Sequence, residues 1–239
     1  MTYGSPVPES VEPTGVTQGG YSTAAVVNKD FVIKIPKEYD LAAAGPVMCA
    51  AVTVYSPLRH WQVRKDSKVA IVGMGGLGHL AVKLAKSMGA EVVVFTTSPD
   101  KADDARRFGA HDVVVNYDAE KLKKLNRHFD FVLDTVPYQH ELDPIMNTMK
   151  RDATLCLVGI GKVSEPNQLS PFTTVLRRYS FAGSTIGGIR ETQEVIDYCN
   201  LHGIKPDYRL IKPSDINQTW SDVVAKKARY RYVMDLKQI

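Results

Sequence analysis

Three glycines with the spacing G-x-G-x-x-G, at Gly73, Gly75 and Gly78, are the residues of this sequence best suited to bind an anionic ligand. A short apolar run, Lys68 to Val72, precedes them, and a segment with apolar residues at helical spacing follows and ends before Gly89. Between a strand and a helix, the first glycine permits the turn, the second permits close approach of a pyrophosphate, and the third permits helix–strand packing. The helix N-terminus adds unpaired N–H groups, so the motif predicts a dinucleotide site.

The end of the next predicted strand determines which dinucleotide fits. An Asp or Glu about 20 residues after the glycines would bind a ribose 2′-hydroxyl and repel a 2′-phosphate. The strand instead ends in Phe95-Thr96-Thr97-Ser98, with Lys101 three residues later. Because hydroxyl groups and a cation favour a 2′-phosphate, the sequence predicts NADP(H) rather than NAD(H). Thr97 and Ser98 would also serve to cap a helix that begins at Pro99.

The histidines and cysteines show no metal-binding spacing. None of the six histidines belongs to an H-E-x-x-H or similar pattern, and we expect each to be a surface or turn residue. Cys49, Cys156 and Cys199 form no C-x-x-C pair, which favours reduced cytosolic thiols over a disulfide framework. Cys49 and Thr53 fall on one face of a predicted helix, and a buried structural thiol is the simplest interpretation of Cys49.

From Lys68 onward, apolar strands alternate with amphipathic helices, which predicts a doubly wound α/β fold with a parallel sheet of six strands. Asp134 and Thr135 fall at the carboxyl end of one strand, where ligands collect, although helix capping would explain them equally well. The strands are expected at 69–72, 91–95, 113–115, 129–134, 153–158 and 179–185, and the helices at 76–88, 99–108, 120–126, 140–149, 170–176 and 191–202.

The segments on both sides of this repeat differ from it. Residues 1–20 are rich in proline and glycine and indicate a loop, 21–35 predict one or two strands, and Gly45-Pro46 begins a helix that ends near Arg59. After Pro206 the pattern predicts a tail that repeats no βαβ unit, with a strand at 208–211, a helix at 214–226 and a strand at 231–236. We expect three parts, at 1–45, 46–206 and 207–239.

Composition indicates an ordered, water-soluble protein of the cytoplasm. The net charge of +4, from 30 basic and 26 acidic residues, is too mild and mixed to predict nucleic-acid binding, and most of the basic cluster from Lys226 to Arg231 is interpreted as a solvated face. The apolar run at 41–55 is interrupted by Gly45 and Pro46 and is expected to be too short to span a bilayer. The N-terminus has no signal-peptide pattern.

Several segments stand in order along the chain, at Met48 to Trp61, Gly73 to His79, Phe95 to Ser98, Gly183 to Gly188, Glu191 to Glu194 and Arg229 to Asp235. They are similar to the zinc-dependent medium-chain alcohol dehydrogenases, and most of all to the cinnamyl alcohol dehydrogenase branch of NADP-dependent aldehyde reductases. The resemblance covers essentially the whole chain and implies a Rossmann dinucleotide-binding domain with remnants of a GroES-like catalytic domain at both ends.

The resemblance also implies a role for individual residues. Cys49 matches the last ligand of the catalytic zinc, and Thr53 faces the nicotinamide side of the cleft. The implied cofactor-binding positions are Gly73, Gly75, Gly76, Leu77 and Gly78 in the glycine turn, Thr97, Ser98 and Lys101 at the 2′-phosphate, Val158 and Ser184 through their backbone at the carboxamide, and Arg231 at the pyrophosphate.

The other zinc ligands that such enzymes carry in a preceding segment are not found in this sequence. A catalytic zinc needs three protein ligands, and Cys49 is the single one that matches. We therefore expect a truncated alcohol dehydrogenase that binds NADP(H) without zinc and does not reduce an aldehyde by itself. Two alternatives stay open, a cofactor-binding regulatory or oligomerisation module and a zinc-free NADPH:quinone reductase. The resemblance further implies a homodimer through the edge strand near 179–185.

Overall fold

The computed structural model describes residues 5–17 and 19–236. A parallel sheet of six strands in the order β3-β2-β1-β4-β5-β6 forms its centre, which confirms the predicted α/β class and sheet. The strand order reverses between β1 and β4, and such a switch point is where ligands bind in sheets of this kind. The strands are β1 (Lys68–Val72), β2 (Glu91–Thr96), β3 (Asp112–Val115), β4 (Phe129–Asp134), β5 (Met149–Leu157) and β6 (Ser180–Gly183).

Two apolar cores lie on opposite faces of the sheet and are supplied by alternate strand residues. Val69 and Ile71 of β1 belong to one core, and Ala70 and Val72 belong to the other. Because both faces are covered, consecutive residues of the central strands are buried. This explains why the strands are apolar runs rather than alternating apolar and polar residues.

Helices surround the sheet, and one of them differs clearly from its prediction. The helix expected at 140–149 was wrong in length, because only Asp143–Met146 is helical and β5 already begins at Met149. The other predicted helices exist, with their ends displaced by a few residues. The helices are α1 (Leu41–His60), α2 (Gly78–Ser87), α3 (Ala102–Arg107), α4 (Ala119–Lys124), α5 (Asp143–Met146), α6 (Pro171–Arg177), α7 (Ile189–Leu201) and α8 (Ile216–Val224).

The first helix, α1, is continuous and contains a π turn at Val47–Ala51. It begins at Leu41 rather than at Gly45, because the side chain of Asp40 accepts hydrogen bonds from the first free N–H groups of the helix. The helix has 20 residues and extends beyond the apolar run at 41–55, and by length and composition alone it could cross a bilayer. Its most apolar window is 61% buried inside the protein, as in a core helix.

The prediction of strands at 21–35 was wrong. Only a 3-10 turn at Lys29–Phe31 forms there, and Val26 and Val27 are exposed. A short strand pair is marginal without a surface to pack on, and the described residues offer this segment no partner strand. The backbone of Lys34 instead makes two hydrogen bonds with the side-chain amide of Gln193. Of the predicted N-terminal loop, residues 1–4 and 18 lie outside the described residues.

The tail forms a small βαβ unit, contrary to the prediction that it repeats none. Its strands, β7 (Tyr208–Ile211) and β8 (Arg231–Met234), pair in parallel with α8 between them. Asp207, directly before β7, connects the unit to the body by ion pairs with Lys83 at 2.6 Å and Arg107 at 3.0 Å. The division of the chain at 45 and 206 stays a prediction.

Candidate functional site

The carboxyl ends of β1, β2 and β4 meet at one edge of the sheet. Val72 lies opposite both Phe95 and Asp134 in the strand register, so the glycine turn, Thr97 and Thr135 leave the sheet side by side. They line a cavity of about 630 Å³, a size typical of small-molecule sites. Residues of α8 and β8 form the opposite side of this cavity.

The glycine turn is tightly constrained at its ends and open in the middle. Gly73 has a left-handed φ of +91°, and a Cβ on Gly78 would lie 2.0 Å from the Gly73 carbonyl oxygen. A side chain at either position would force the backbone to move. At Gly75, in contrast, no described atom lies within 4 Å of the Cβ position. The backbone of Gly75 is therefore open to the cavity, as close approach of a pyrophosphate requires.

Arg231 covers the glycine turn from the tail. Its Nε donates to the Gly76 carbonyl at 3.2 Å, and a Cβ on Gly76 would lie 2.6 Å from the guanidinium carbon. Burial lowers the pKa of Arg231, and the nearby thiol of Cys49 acts in the opposite direction. Since an arginine is always charged in proteins, a fixed cation stands beside the turn and suits it to a phosphate group.

The end of β2 places hydroxyl groups and a cation in the same cavity, through Thr97, Ser98 and Lys101. The alternative that these hydroxyls cap a helix was wrong for Ser98, the N-cap residue, because its side chain makes no capping hydrogen bond. The backbone N–H of Ser98 donates a hydrogen bond to Thr96 Oγ1 at 3.1 Å. Among the described residues, no Asp or Glu lines the cavity, so no carboxylate there repels a phosphate.

Thr135 joins the ends of β4 and β1. Its hydroxyl donates to the Val72 carbonyl at 2.8 Å, and a Cβ on Gly73 would lie 2.8 Å from that hydroxyl oxygen. No helix begins at Thr135, so the helix-capping interpretation was wrong and the residue holds the glycine turn in place.

His140 was expected at the surface or in a turn; it lies in the loop after β4, but its side chain is only 9% exposed and lines the cavity. Its Nε2 lies 2.8 Å from Asp134 Oδ2, and its Nδ1 lies 2.9 Å from the carbonyl oxygen of Tyr138. A protonated ring would place its positive charge beside the Asp134 carboxylate and could also donate to the Tyr138 carbonyl. Burial opposes this charge, but the hydrogen bond with Asp134 and the charge of its carboxylate outweigh burial and raise the pKa of His140.

His79 was also expected at the surface or in a turn, but it lies in α2 and is fully buried. Its Nδ1 lies 3.2 Å from the Gly75 carbonyl oxygen, and its Nε2 accepts from the Asp207 N–H at 3.2 Å. The ring stacks on Tyr230 with centroids 4.9 Å apart. One acceptor and one donor around the ring favour the neutral form of the imidazole. Burial, and after it the positive charge of Lys83, lowers the pKa of His79 to about 3.

Several predicted site residues lie outside the cavity lining. Thr53 is buried, and its hydroxyl donates to the Cys49 carbonyl at 2.7 Å. The N–H groups of Val158 and Ser184 donate to carbonyl groups of the sheet. The predicted roles of this set stay predictions, and its members are Cys49, Thr53, Leu77, Gly78, Val158 and Ser184.

The surroundings of Cys49 do not fit a zinc site. Its thiol is exposed, so the interpretation as a buried structural thiol was wrong. Within residues 5–17 and 19–236, no group of three His, Cys, Asp or Glu side chains could hold a metal ion. A catalytic zinc needs three protein ligands, and the described residues do not supply them.

Sequence reasoning missed most of the tail side of the cavity. The helix α8 presents Ile216, Trp220 and Val223 to it, and Lys226 follows at the end of the helix. The i, i+4, i+7 spacing of these three apolar residues is an amphipathic signal that could have indicated a ligand-facing side. The expectation of a solvated face for most of the basic cluster does not single out Lys226, because charge alone does not show which way a side chain points.

Comparisons with known proteins agree with this geometry. The sequence profile described as zinc-binding dehydrogenase matches residues 76–200. The aldehyde reductase YahK of Escherichia coli is 44% identical over 236 residues, which are 98% of this chain and 66% of that protein. A cinnamyl alcohol dehydrogenase of Sorghum bicolor matches with a TM-score of 0.89 at 33% identity, over 93% of this chain and 63% of that one. CAD from Helicobacter pylori, solved with NADP(H), matches with a TM-score of 0.87 at 35% identity, over 96% of this chain and 65% of that one.

This chain spans about two thirds of the length of these relatives. The profile match covers more than half of the chain and includes strands β2 to β6. The two structural matches extend over 93% and 96% of this chain. The chain therefore belongs to the zinc-binding dehydrogenases, the zinc-type medium-chain alcohol dehydrogenase family.

Proposed function

We propose that the cavity binds NADP(H) and that the chain is the cofactor-binding part of a zinc-type alcohol dehydrogenase or aldehyde reductase. The lining of the cavity carries this proposal. The open backbone of Gly75, the cation of Arg231 and the group Thr97, Ser98 and Lys101 share one cavity that no described carboxylate lines. A dinucleotide with an additional 2′-phosphate is a ligand that would use all of these groups.

Each part of the cofactor has a matching part of the lining. Gly75, the N-terminus of α2 and Arg231 would hold the pyrophosphate, since N–H groups and a cation favour an anion. The β2 end would hold the 2′-phosphate. Val114, Tyr117 and Tyr138 offer apolar surface to the adenine. Bound NADPH supplies a hydride, and the residues of this chain bind and orient the cofactor.

The relatives indicate the parent reaction, hydride transfer between NADPH and an aldehyde or primary alcohol. They include the aldehyde reductase YahK and an NADP-dependent alcohol dehydrogenase C of Mycobacterium bovis. The described residues offer Cys49 but no set of three zinc ligands. We therefore expect the 239-residue chain alone to bind the cofactor without zinc-dependent turnover.

A homodimer through the edge of the sheet is part of the proposal. Strand β6 ends the sheet, and Phe181 on this strand is 42% exposed. The adjacent helix α6 exposes Phe172 and Val175. An unpaired apolar edge of this kind favours pairing with a second copy. We place the protein in the cytoplasm, in keeping with its free cysteines. Light scattering of the purified chain tests the dimer, and a monomer would contradict it.

Fluorescence titration of the purified chain with NADPH and NADH tests cofactor binding. We expect NADPH to bind at least about tenfold more tightly, because only NADPH carries the 2′-phosphate. Absence of binding, or a preference for NADH, would contradict the proposal.

Metal analysis with an aldehyde-reduction assay tests the expected lack of zinc-dependent turnover. Stoichiometric zinc or robust turnover would overturn that expectation. Chelator-resistant quinone reduction would instead favour a zinc-free quinone reductase.

A further inference from the structure

Two lysines from different parts of the chain approach the same region of the cavity. Lys101 follows the end of β2, and Lys226 follows the end of α8. Both line the cavity, and neither forms an ion pair with a described residue. Lys226 Nζ lies 4.3 Å from the ring centroid of Tyr138, which places the ammonium group at the side of the cavity formed by the loop after β4.

The charge of Lys226 acts on Lys101. Burial lowers the pKa of Lys101, and the positive charges of Arg229 and Lys226 lower it further. Arg229 is neutralised by an ion pair with Asp100, whereas Lys226 has no such partner among the described residues. Two cations that line one cavity without a carboxylate partner among the described residues favour an anion of high charge between them.

The backbone of Lys226 has an unusual conformation. The residue has a left-handed φ of +59°, and its N–H donates to the Val223 carbonyl at 3.0 Å just after α8. Lys227 N–H donates to the Asp222 carbonyl at 2.9 Å, which completes the end of the helix. Glycine is the favoured residue at this position, since a Cβ is strained there. A lysine at a glycine position is a local strain of the kind that functional sites retain.

We propose that Lys226 is a second cation for the 2′-phosphate of NADP(H), acting from the tail opposite Thr97, Ser98 and Lys101. The proposal rests on the proposed binding of NADP(H) and adds a determinant of cofactor choice that lies outside the six-stranded sheet. A 2′-phosphate carries nearly two negative charges, so one lysine does not neutralise it and two lysines do. NADH carries no group at this place, and Lys226 contributes nothing to its binding.

Titration of Lys226→Ala with both cofactors tests this role, with Lys227→Ala as the matched control. Lys227 is the exposed neighbour and does not line the cavity. We expect Lys226→Ala to weaken NADPH binding by about fivefold and to leave NADH unchanged, because the lost contact is a partly exposed ion pair. Lys227→Ala should change neither affinity. Equal weakening for NADPH and NADH, or equal effects of the two variants, would overturn the proposal for Lys226 while leaving NADP(H) binding intact. Absence of NADPH binding by the unaltered chain would overturn both.

Lys226→Gly separates binding from stability. Glycine accepts the left-handed backbone, so this variant should raise Tm by about 2–4 °C while it weakens NADPH as much as Lys226→Ala does. A stabilised variant with lower affinity for NADPH alone is the result expected of a strained binding residue. A variant that gains stability and keeps its full affinity for NADPH would contradict the role of Lys226.

Discussion

The two walls of the cavity are built in different ways. The sheet wall consists of the glycine turn and the ends of β2 and β4, and its geometry is set by buried backbone. The tail wall consists of α8 and β8, is made of side chains, and leaves Trp220 53% and Val224 79% exposed. A wall fixed by a sheet fails when its backbone is forced to move, whereas a wall held by a few side-chain contacts can be weakened one contact at a time.

The largest expected effect is on the sheet wall. Gly78→Ala would place a Cβ 2.0 Å from the Gly73 carbonyl oxygen, and two backbone segments would have to separate. We expect a loss of about 3 kcal/mol in the free energy of unfolding, at the upper end for overpacking, together with loss of NADPH binding. Urea denaturation and cofactor titration measure both quantities.

Gly75→Ala is the matched control for that prediction. No described atom lies within 4 Å of its Cβ position, so we expect the stability to change by less than about 1 kcal/mol. Binding of NADPH should still weaken, because the added methyl group occupies space that the pyrophosphate would use. If Gly78→Ala were as stable as Gly75→Ala, the geometry of the sheet wall would not be set by its buried backbone.

The sheet wall is the part of the site that sequence reasoning predicted well. Glycine spacing, apolar runs and the missing acid after Phe95 are local signals. They correctly placed the turn and the strands, and they placed Thr97 and Ser98 at the end of β2. The pairing of Asp134 with His140 was not predicted, because it depends on a loop whose path no periodicity describes. The overlong helix predicted at 140–149 has the same cause.

Acid should weaken the attachment of the tail wall through His79. Its folded-state pKa of about 3 lies below the ordinary value of 6.5, so the unfolded chain binds more protons in this window and stability falls as pH falls through it. We expect a loss of about 2 kcal/mol at pH 5. In the neutral ring, Nε2 accepts a hydrogen bond from the Asp207 N–H. Protonation of Nε2 would remove this acceptor and place two N–H groups face to face.

Urea unfolding between pH 5 and pH 7.5 measures this loss. His79→Gln should flatten the pH dependence, whereas His202→Gln, at an exposed histidine, should retain it. An unchanged slope in His79→Gln would show that the acid sensitivity arises elsewhere.

Removal of Arg231 should weaken the tail wall without changing cofactor preference. Arg231→Ala removes the cation beside Gly76, and we expect NADPH and NADH to bind about tenfold more weakly, because both carry the pyrophosphate. Arg209→Ala, an exposed arginine on β7, is the control and should bind both normally. A selective loss of NADPH in Arg231→Ala would place this arginine at the 2′-phosphate instead.

The tail wall shows why part of the site could not be predicted from the sequence. Lys226 and Trp220 reach the cavity because Asp207 and Tyr230 hold the tail against α2, and these contacts join residues more than a hundred positions apart. Local patterns predicted β7, α8 and β8 correctly, but not that the two strands pair in parallel beside the cofactor cavity. The family resemblance identified Arg231, because its segment matches as a block.

The smallest expected effect is on the sheet wall and has the opposite pH dependence to that of His79. The raised pKa of His140 means that the folded protein binds more protons above pH 6.5, so its contribution is complete below that pH and is lost as pH rises through the raised pKa. We expect a loss of about 1 kcal/mol, since a neutral ring no longer attracts the Asp134 carboxylate that lies 2.8 Å from it. Urea unfolding from pH 6 to pH 8.5 should show this decline in the native protein and not in His140→Gln. Ring ¹⁵N signals of a single protonated nitrogen at pH 6 would contradict the ion pair, and the two walls would then differ in backbone rigidity but not in their response to pH.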